Sequence, residues 1–238
     1  VRGLFVTGTG TGVGKTILSA ALLAAIAAAG EQVSAHKPVV TGVEDPPGEW
    51  PPDHELLARV AGMTPEEVAP LRYGPAVSPH LAAELAGERV NPERIAATAQ
   101  DALRNADARG AVLIVEGVGG LLVPLAESFT VRDLAARLGL PLLVAASPGL
   151  GTINHTLLTL EAARATGLEV RAVVLTPWPE LPAAMEESNR ATIARLGDVE
   201  VTTLVHVPRA ELTALTGAGA ELPWRKWLPR ERSIPSRA

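Results

Sequence analysis

VTGTGTGVGKT, residues Val6–Thr16, sets glycine at Gly8, Gly10, Gly12 and Gly14 and then ends on Lys15 and Thr16. A backbone this permissive can turn sharply and bring its N–H groups around an anion. The run before it, GLFVT (Gly3–Thr7), is short and apolar, and the alanine-rich stretch after Thr16 has high helix propensity as far as Gly30, which supplies a stop. Strand, glycine loop and helix in that order form the setting in which a loop cradles phosphate. The helix dipole adds to the field, Lys15 reaches the terminal phosphate oxygens, and the Thr16 hydroxyl falls where Mg²⁺ on a triphosphate needs an oxygen. A strict G-x-x-x-x-G-K-[ST] would need glycine where Thr9 stands, so this is a variant P-loop whose glycine run is one residue longer. The dinucleotide pattern G-x-G-x-x-G fails, because Val13 and Lys15 occupy the places of its last glycine. A flexible turn with an accidental lysine would leave the strand before it and the helix after it unexplained.

The same rhythm continues outward. VSAH (Val33–His36), AVLIVE (Ala111–Glu116), LLVAA (Leu142–Ala146) and VRAVVL (Val170–Leu175) are continuous apolar runs of the kind buried on both faces of a parallel sheet. Helical patterns lie between and after them, over Asp53–Ala61, Pro92–Asn105, Val131–Leu138, Ile153–Thr166 and Ala183–Leu196. This alternation predicts an α/β fold, a mostly parallel, doubly wound sheet of the P-loop NTPase type in a single domain, with ligands beyond the carboxyl ends of the strands. Two stretches break the rhythm: Thr41–Pro52 is expected to be a mobile loop, and Thr64–Val90 carries scattered prolines. The domain is expected to span residues 1–216, followed by a Pro- and Arg-rich tail over residues 217–238. Pro223, Pro229 and Pro235 would interrupt a membrane-surface helix there, so the tail is expected to dock Trp224 and Trp227 or to fray.

Composition sets the outer bounds. A chain of 238 residues with 47% hydrophobic content can fill a core, which excludes disorder throughout. A net charge of −5 with no dominant basic run argues against a nucleic-acid partner but leaves room for a compact anionic ligand in a local pocket. Without cysteine there is no disulfide framework, no thiolate metal site and no cysteine nucleophile, and a reducing cytoplasm is the natural default. The apolar run Ile17–Ala29 follows Lys15 directly and is shorter than a membrane span, so it is read as a buried helix and no membrane association is expected.

Several side chains fall at the predicted ligand edge. Glu116 closes an apolar strand and is followed by Gly117, Val118, Gly119 and Gly120, which suits a carboxylate facing a metal-bound triphosphate. Lys37 follows the second strand and precedes Pro38, so its backbone is held extended at the same edge. There it is either a second cation for a transferring phosphoryl group or a plain surface lysine. Asp53 is an apt N-cap for its helix or a further metal ligand, and Thr152 can cap the helix near Ile153, whose start could hold a carboxylate. His80 and His155 are too isolated to assign as metal ligands.

Taken together, VTGTGTGVGKT, HKPVVTG (His36–Gly42), SPH (Ser78–His80), VEGVGGLLVPL (Val115–Leu125) and GTINHTLLT (Gly151–Thr159) resemble the ATP-dependent dethiobiotin synthetase family, in order over Gly3–Pro208. The resemblance implies a homodimeric P-loop ligase of biotin synthesis. Such an enzyme turns 7,8-diaminononanoate, CO₂ and ATP into dethiobiotin, ADP and phosphate through a carbamate and a carbamic-phosphoric anhydride. By the same resemblance Gly12, Val13, Gly14, Lys15, Thr16 and Ile17, with Glu116, Gly117, Val118 and Gly119, hold the nucleotide. Lys15, Lys37 and Thr11 serve the transfer, and Thr16, Asp53 and Glu116 hold Mg²⁺. Thr41 faces the substrate, and Gly151 and Thr152 receive its carboxylate across a dimer interface. Thr176 and Pro177, with Pro208, Arg209 and Ala210, flank the base.

Two positions depart from the family pattern. Gly12 stands where many members carry glutamate, and Thr176 where asparagine is common. Threonine cannot make the paired donor and acceptor contacts of an amide, so weak discrimination between ATP and other triphosphates is expected. The rival reading is a partition-type P-loop switch ATPase working through a protein or membrane partner. Such proteins usually carry an extra lysine early in the loop, where this chain has threonine and glycine.

Overall fold

The computed structural model describes residues 1–45, 48 and 50–229. The glycine loop joins β1 (Gly3–Gly8), buried along its whole length, to α1 (Lys15–Ala28). After β2 (Val33–His36) the chain makes the two-residue strand β3 (Val40–Thr41), then α2 (Asp53–Ala61) and α3 (Pro65–Val68). The proline-scattered region holds α3, β4 (Arg72–Tyr73) and α4 (Pro79–Leu85). Next come α5 (Pro92–Ala108), β5 (Val112–Glu116), the small hairpin of β6 (Pro124–Ala126) and β7 (Phe129–Thr130), and α6 (Val131–Leu138). The last part runs β8 (Leu142–Ala146), α7 (Thr152–Arg164), β9 (Val170–Trp178), α8 (Ala184–Gly197), β10 (Val201–Val205), α9 (Leu212–Ala220) and α10 (Trp224–Trp227).

Six strands form one parallel sheet in the order β10-β9-β8-β1-β5-β2. The parallel pairing explains the composition: with helices on both faces, β5 and β8 are wholly buried and need apolar side chains on both sides. β1 sits inside the sheet, so the loop after it opens midway along the carboxyl edge. That edge runs from Lys37, just past β2, to Val207, just past β10.

α1 is buried nearly all round, from Leu18 to Ile26, because the sheet covers one side while α2 and α9 cover the others. The approach of α9 is close: a β-carbon on Gly219 would lie 2.0 Å from the Ala21 carbonyl oxygen. α6 owes its sharp ends to local chemistry. Thr130 and Asp133 form a capping box at its start, and Gly139 turns left-handed at its end.

The structure revises two expectations. VTTLV is a sixth sheet strand, β10, which the hydrophobic pattern did not mark. The division after residue 216 falls inside α9, so the chain continues as one packed body through α10. Trp224 and Trp227 are buried in the same core as α1, and the Trp227 indole N–H donates to Glu200 at 3.2 Å. Residues 230–238 of the expected tail, Pro235 among them, lie outside the described residues. Within Thr41–Pro52, Thr41 belongs to β3 and the described remainder has no helix or strand. Among the described residues no helix is long and apolar enough to cross a membrane.

Candidate active site

The loop after β1 closes with Gly12 and Gly14 at φ of 73° and 85°, left-handed conformations that a side chain would strain. Gly14 is the residue immediately before α1, and a β-carbon there would come within 2.8 Å of the Thr176 side chain. The loop is therefore pinned against the end of β9. Lys15 is mostly buried and curls back so that its ammonium donates to the Gly10 carbonyl at 2.7 Å. Burial lowers its pKa to about 8, with Glu116 pulling the other way.

Glu116, at the end of β5, is fully buried, and one of its oxygens accepts from both the Thr16 hydroxyl, at 2.9 Å, and the Lys37 ammonium. Lys37 also lies 2.9 Å from Asp53 at the first turn of α2. Burial would lower the Lys37 pKa, but Glu116 and Asp53 together hold it above the ordinary lysine value. Burial would likewise raise Asp53, yet Lys37, with Thr16 and Lys15, holds it below the usual carboxylate range. Both groups stay charged at neutral pH. Two strand ends and a helix start thus bring a lysine, two carboxylates and the P-loop threonine into one cluster.

Above this cluster opens a cavity of about 770 Å³. Thr11, Gly12, Gly14, Lys15, Thr16, Ile17, Lys37, Thr41, Asp53, Val118, Gly119, Thr176 and Pro177, all marked in the sequence, line it. Glu116 sits beneath its floor, hydrogen-bonded to Thr16 and Lys37. Gly117 does not line this cavity; a β-carbon on it would run into Val131 at 2.8 Å.

Other expectations are redrawn. Pro52, not Asp53, precedes α2, and the Asp53 carboxylate is spent on Lys37. Thr152 is the first residue of α7 rather than its cap; its hydroxyl lies 3.4 Å from that of Thr156. Thr152 and Val13 face a separate cavity of about 240 Å³, which Thr11 joins to the larger one, while Gly151 precedes α7 at φ 88°. Pro208, Arg209 and Ala210 do not line the large cavity: Arg209 pairs with Glu211, and the Ala210 carbonyl accepts from Arg59. Val205, His206 and Val207 take that wall instead, and Trp50, Pro51 and Val77 complete another side. These residues carried no motif; only the missed strand β10 would have pointed to Val205–Val207.

A parallel sheet with a lysine-ended glycine loop at its middle, and a buried carboxylate one strand away, defines a P-loop nucleotide-binding protein. Residues 2–214 match the family described as AAA domain. The "ATP-dependent dethiobiotin synthetase BioD" of Anaeromyxobacter sp. (strain Fw109-5) is 44% identical over 209 residues, 87% of this chain and 91% of that one. The protein of the same name from Mycobacterium avium (strain 104) is 41% identical over 229 residues, 93% of this chain and 96% of its own. The chain belongs to the ATP-dependent dethiobiotin synthetase family. Among solved structures, apo McdA of Cyanthece has a TM-score of 0.51 at 13% identity, covering 91% of this chain and 90% of that one. Chloroplast FtsY from Physcomitrella patens has a TM-score of 0.52 at 14% identity, covering 91% of this chain and 64% of that one. Both likenesses concern the fold alone.

Proposed function

We propose that this protein is a dethiobiotin synthetase, an ATP-dependent ligase that closes the ureido ring on 7,8-diaminononanoate with CO₂ and releases ADP and phosphate. The observation that carries the reading is Lys37 held by Asp53 and Glu116 beside Thr16 of the P-loop, in a chain 44% identical to a protein of that name. A carbamate oxygen is a poor leaving group until it is phosphorylated. No protein nucleophile is needed, and a site built from cations, hydroxyls and backbone N–H groups suits such a reaction through positioning and charge stabilisation.

In this reading Lys15 steadies the transferring phosphate and Lys37 the carbamate oxygen it joins, with Thr11 against the same charge. Thr41 contacts substrate, and Gly151 and Thr152 receive the substrate carboxylate from the other subunit of a homodimer. The base lies along Thr176 and Pro177 with Val205–Val207. The donor set also fits Mg²⁺. Thr16, Asp53 and Glu116 offer hard oxygens, and the second oxygen of Glu116 is buried without a hydrogen-bond partner. Bound there with the nucleotide, the ion would neutralise phosphate charge. A compartment where ATP and CO₂ are both at hand, the cytoplasm, is the expected location.

The test is phosphate release from Mg·ATP with and without 7,8-diaminononanoate and bicarbonate, followed by mass analysis for dethiobiotin. Diamine-dependent release with product of the right mass is expected. Release indifferent to the diamine would return the chain to the class of partner-driven switch ATPases.

A further inference from the structure

Lys37 stands where two different cations have a claim. Its ammonium is bound to the same Glu116 oxygen that accepts from Thr16, and it lies 2.9 Å from Asp53. These are the three oxygen-bearing side chains assigned to Mg²⁺ in the proposed function, on which this inference rests. Mg²⁺ needs its oxygens at about 2.1 Å and in near-octahedral directions. An ammonium hydrogen-bonded to the same two carboxylates would crowd the ion and repel it across a few ångströms.

From this we infer that Lys37 is the resident counter-ion of the metal-binding carboxylates, and that a divalent cation enters with nucleotide by displacing it. The exchange releases the lysine into the cavity that it lines, where phosphate oxygens become its new partners. Its four-carbon stem can pivot without moving β2. Lys15 is held in a parallel manner, its ammonium on the Gly10 carbonyl of its own loop, an oxygen that phosphate can replace. Metal loading and the arming of Lys37 are then a single event. A cation without nucleotide gains little, because the lysine it displaces has no anion to turn to.

The exchange is tested by binding of Mn²⁺ alone, followed by the resonance of the free ion, to the native chain and to Lys37→Gln. The native chain is expected to bind weakly without nucleotide, and Lys37→Gln at least tenfold more tightly at one site, a gain that Lys37→Gln/Glu116→Gln loses. Equal binding by native chain and Lys37→Gln, or a gain that survives in the double variant, overturns the inference. Removing Lys37 leaves the buried Glu116 carboxylate with only the Thr16 hydroxyl, a change that costs stability. Lys37→Arg keeps the charge and grips both carboxylates more firmly, so it should raise the Mg²⁺ concentration needed for fluorescent-nucleotide binding about tenfold. An unchanged Mg²⁺ requirement in Lys37→Arg also overturns it. Neither assay contains diamine or bicarbonate, so a chain that makes no dethiobiotin would still report on the exchange.

Discussion

The two ends of the large cavity are built on opposite principles. On the β2 and β5 side stand Lys37 and, beneath it, Glu116, both buried, with the more exposed Asp53 paired to the same lysine. On the β9 and β10 side stand Thr176, Pro177, Val205, His206 and Val207, with no lysine, arginine, aspartate or glutamate among them. Lys15 and Thr16 lie between. One end selects by charge and can stabilise a reaction; the other offers shape and contact area. Chemistry should therefore be sensitive to single atoms at the first end, and nucleotide identity only loosely governed at the second.

The largest expected effect tests the charged end. Lys37→Ala should lower kcat roughly 100- to 1,000-fold while nucleotide affinity changes only a few-fold, because the cation acts on charge that develops during transfer. Steady-state kinetics beside a nucleotide titration separate the two, and unchanged kcat would remove Lys37 from the chemistry.

Next in size is an effect on stability just behind that end. His36 is fully buried, neither of its ring nitrogens has a partner, and burial lowers its pKa to about 4. Above roughly pH 6.5 it is neutral folded or unfolded, so its contribution is fully present. As pH falls from there through about 4, the unfolded chain takes up a proton that the fold refuses, and about 3 kcal/mol is lost. His36→Leu should flatten the fall in Tm between pH 6.5 and 4. Parallel Tm curves would place the acid sensitivity elsewhere.

Glu116→Ala should raise the Mg²⁺ concentration for half-maximal activity about 10- to 100-fold, the usual scale for losing an outer partner or ligand of a metal. A Mg²⁺ dependence identical to the native chain's would contradict its role.

The smallest effect sharpens the β9 and β10 end. Rates with ATP and CTP should lie within a few-fold of each other, and Thr176→Asn should favour ATP by about tenfold, since an amide can pair with the adenine edge as a hydroxyl cannot. A strong ATP preference in the native chain would mean that shape alone discriminates there.

The same contrast explains what the sequence made legible. The charged end announces itself because its residues are punctuated: Lys37 stands before Pro38, Glu116 before glycine, Lys15 after Gly14. The β9 and β10 end has no such marks. β10 is an edge strand paired only with β9, mostly half-buried, and its VTTLV sequence lacks a continuous apolar run. The extent of α2 and α6 followed from local pattern and caps, and both match their predicted bounds. The use of Asp53 did not, because capping is local chemistry whereas its partner Lys37 arrives through the fold. Thr152 is the same case. The division after residue 216 failed for a related reason: prolines signalled an ending, but Trp224 and Trp227 were the stronger signal, and the core took them in.

The packing of α9 and α10 on α1 also bears on how the protein is made. α1 follows the phosphate loop and leaves the ribosome well ahead of the helix whose Gly219 meets the Ala21 carbonyl. Until then a greasy helix waits beside an incomplete sheet, an obvious client for a holding chaperone. A premature stop ahead of α9 would thus act as a lesion in the nucleotide site, although it falls far from that site in the gene.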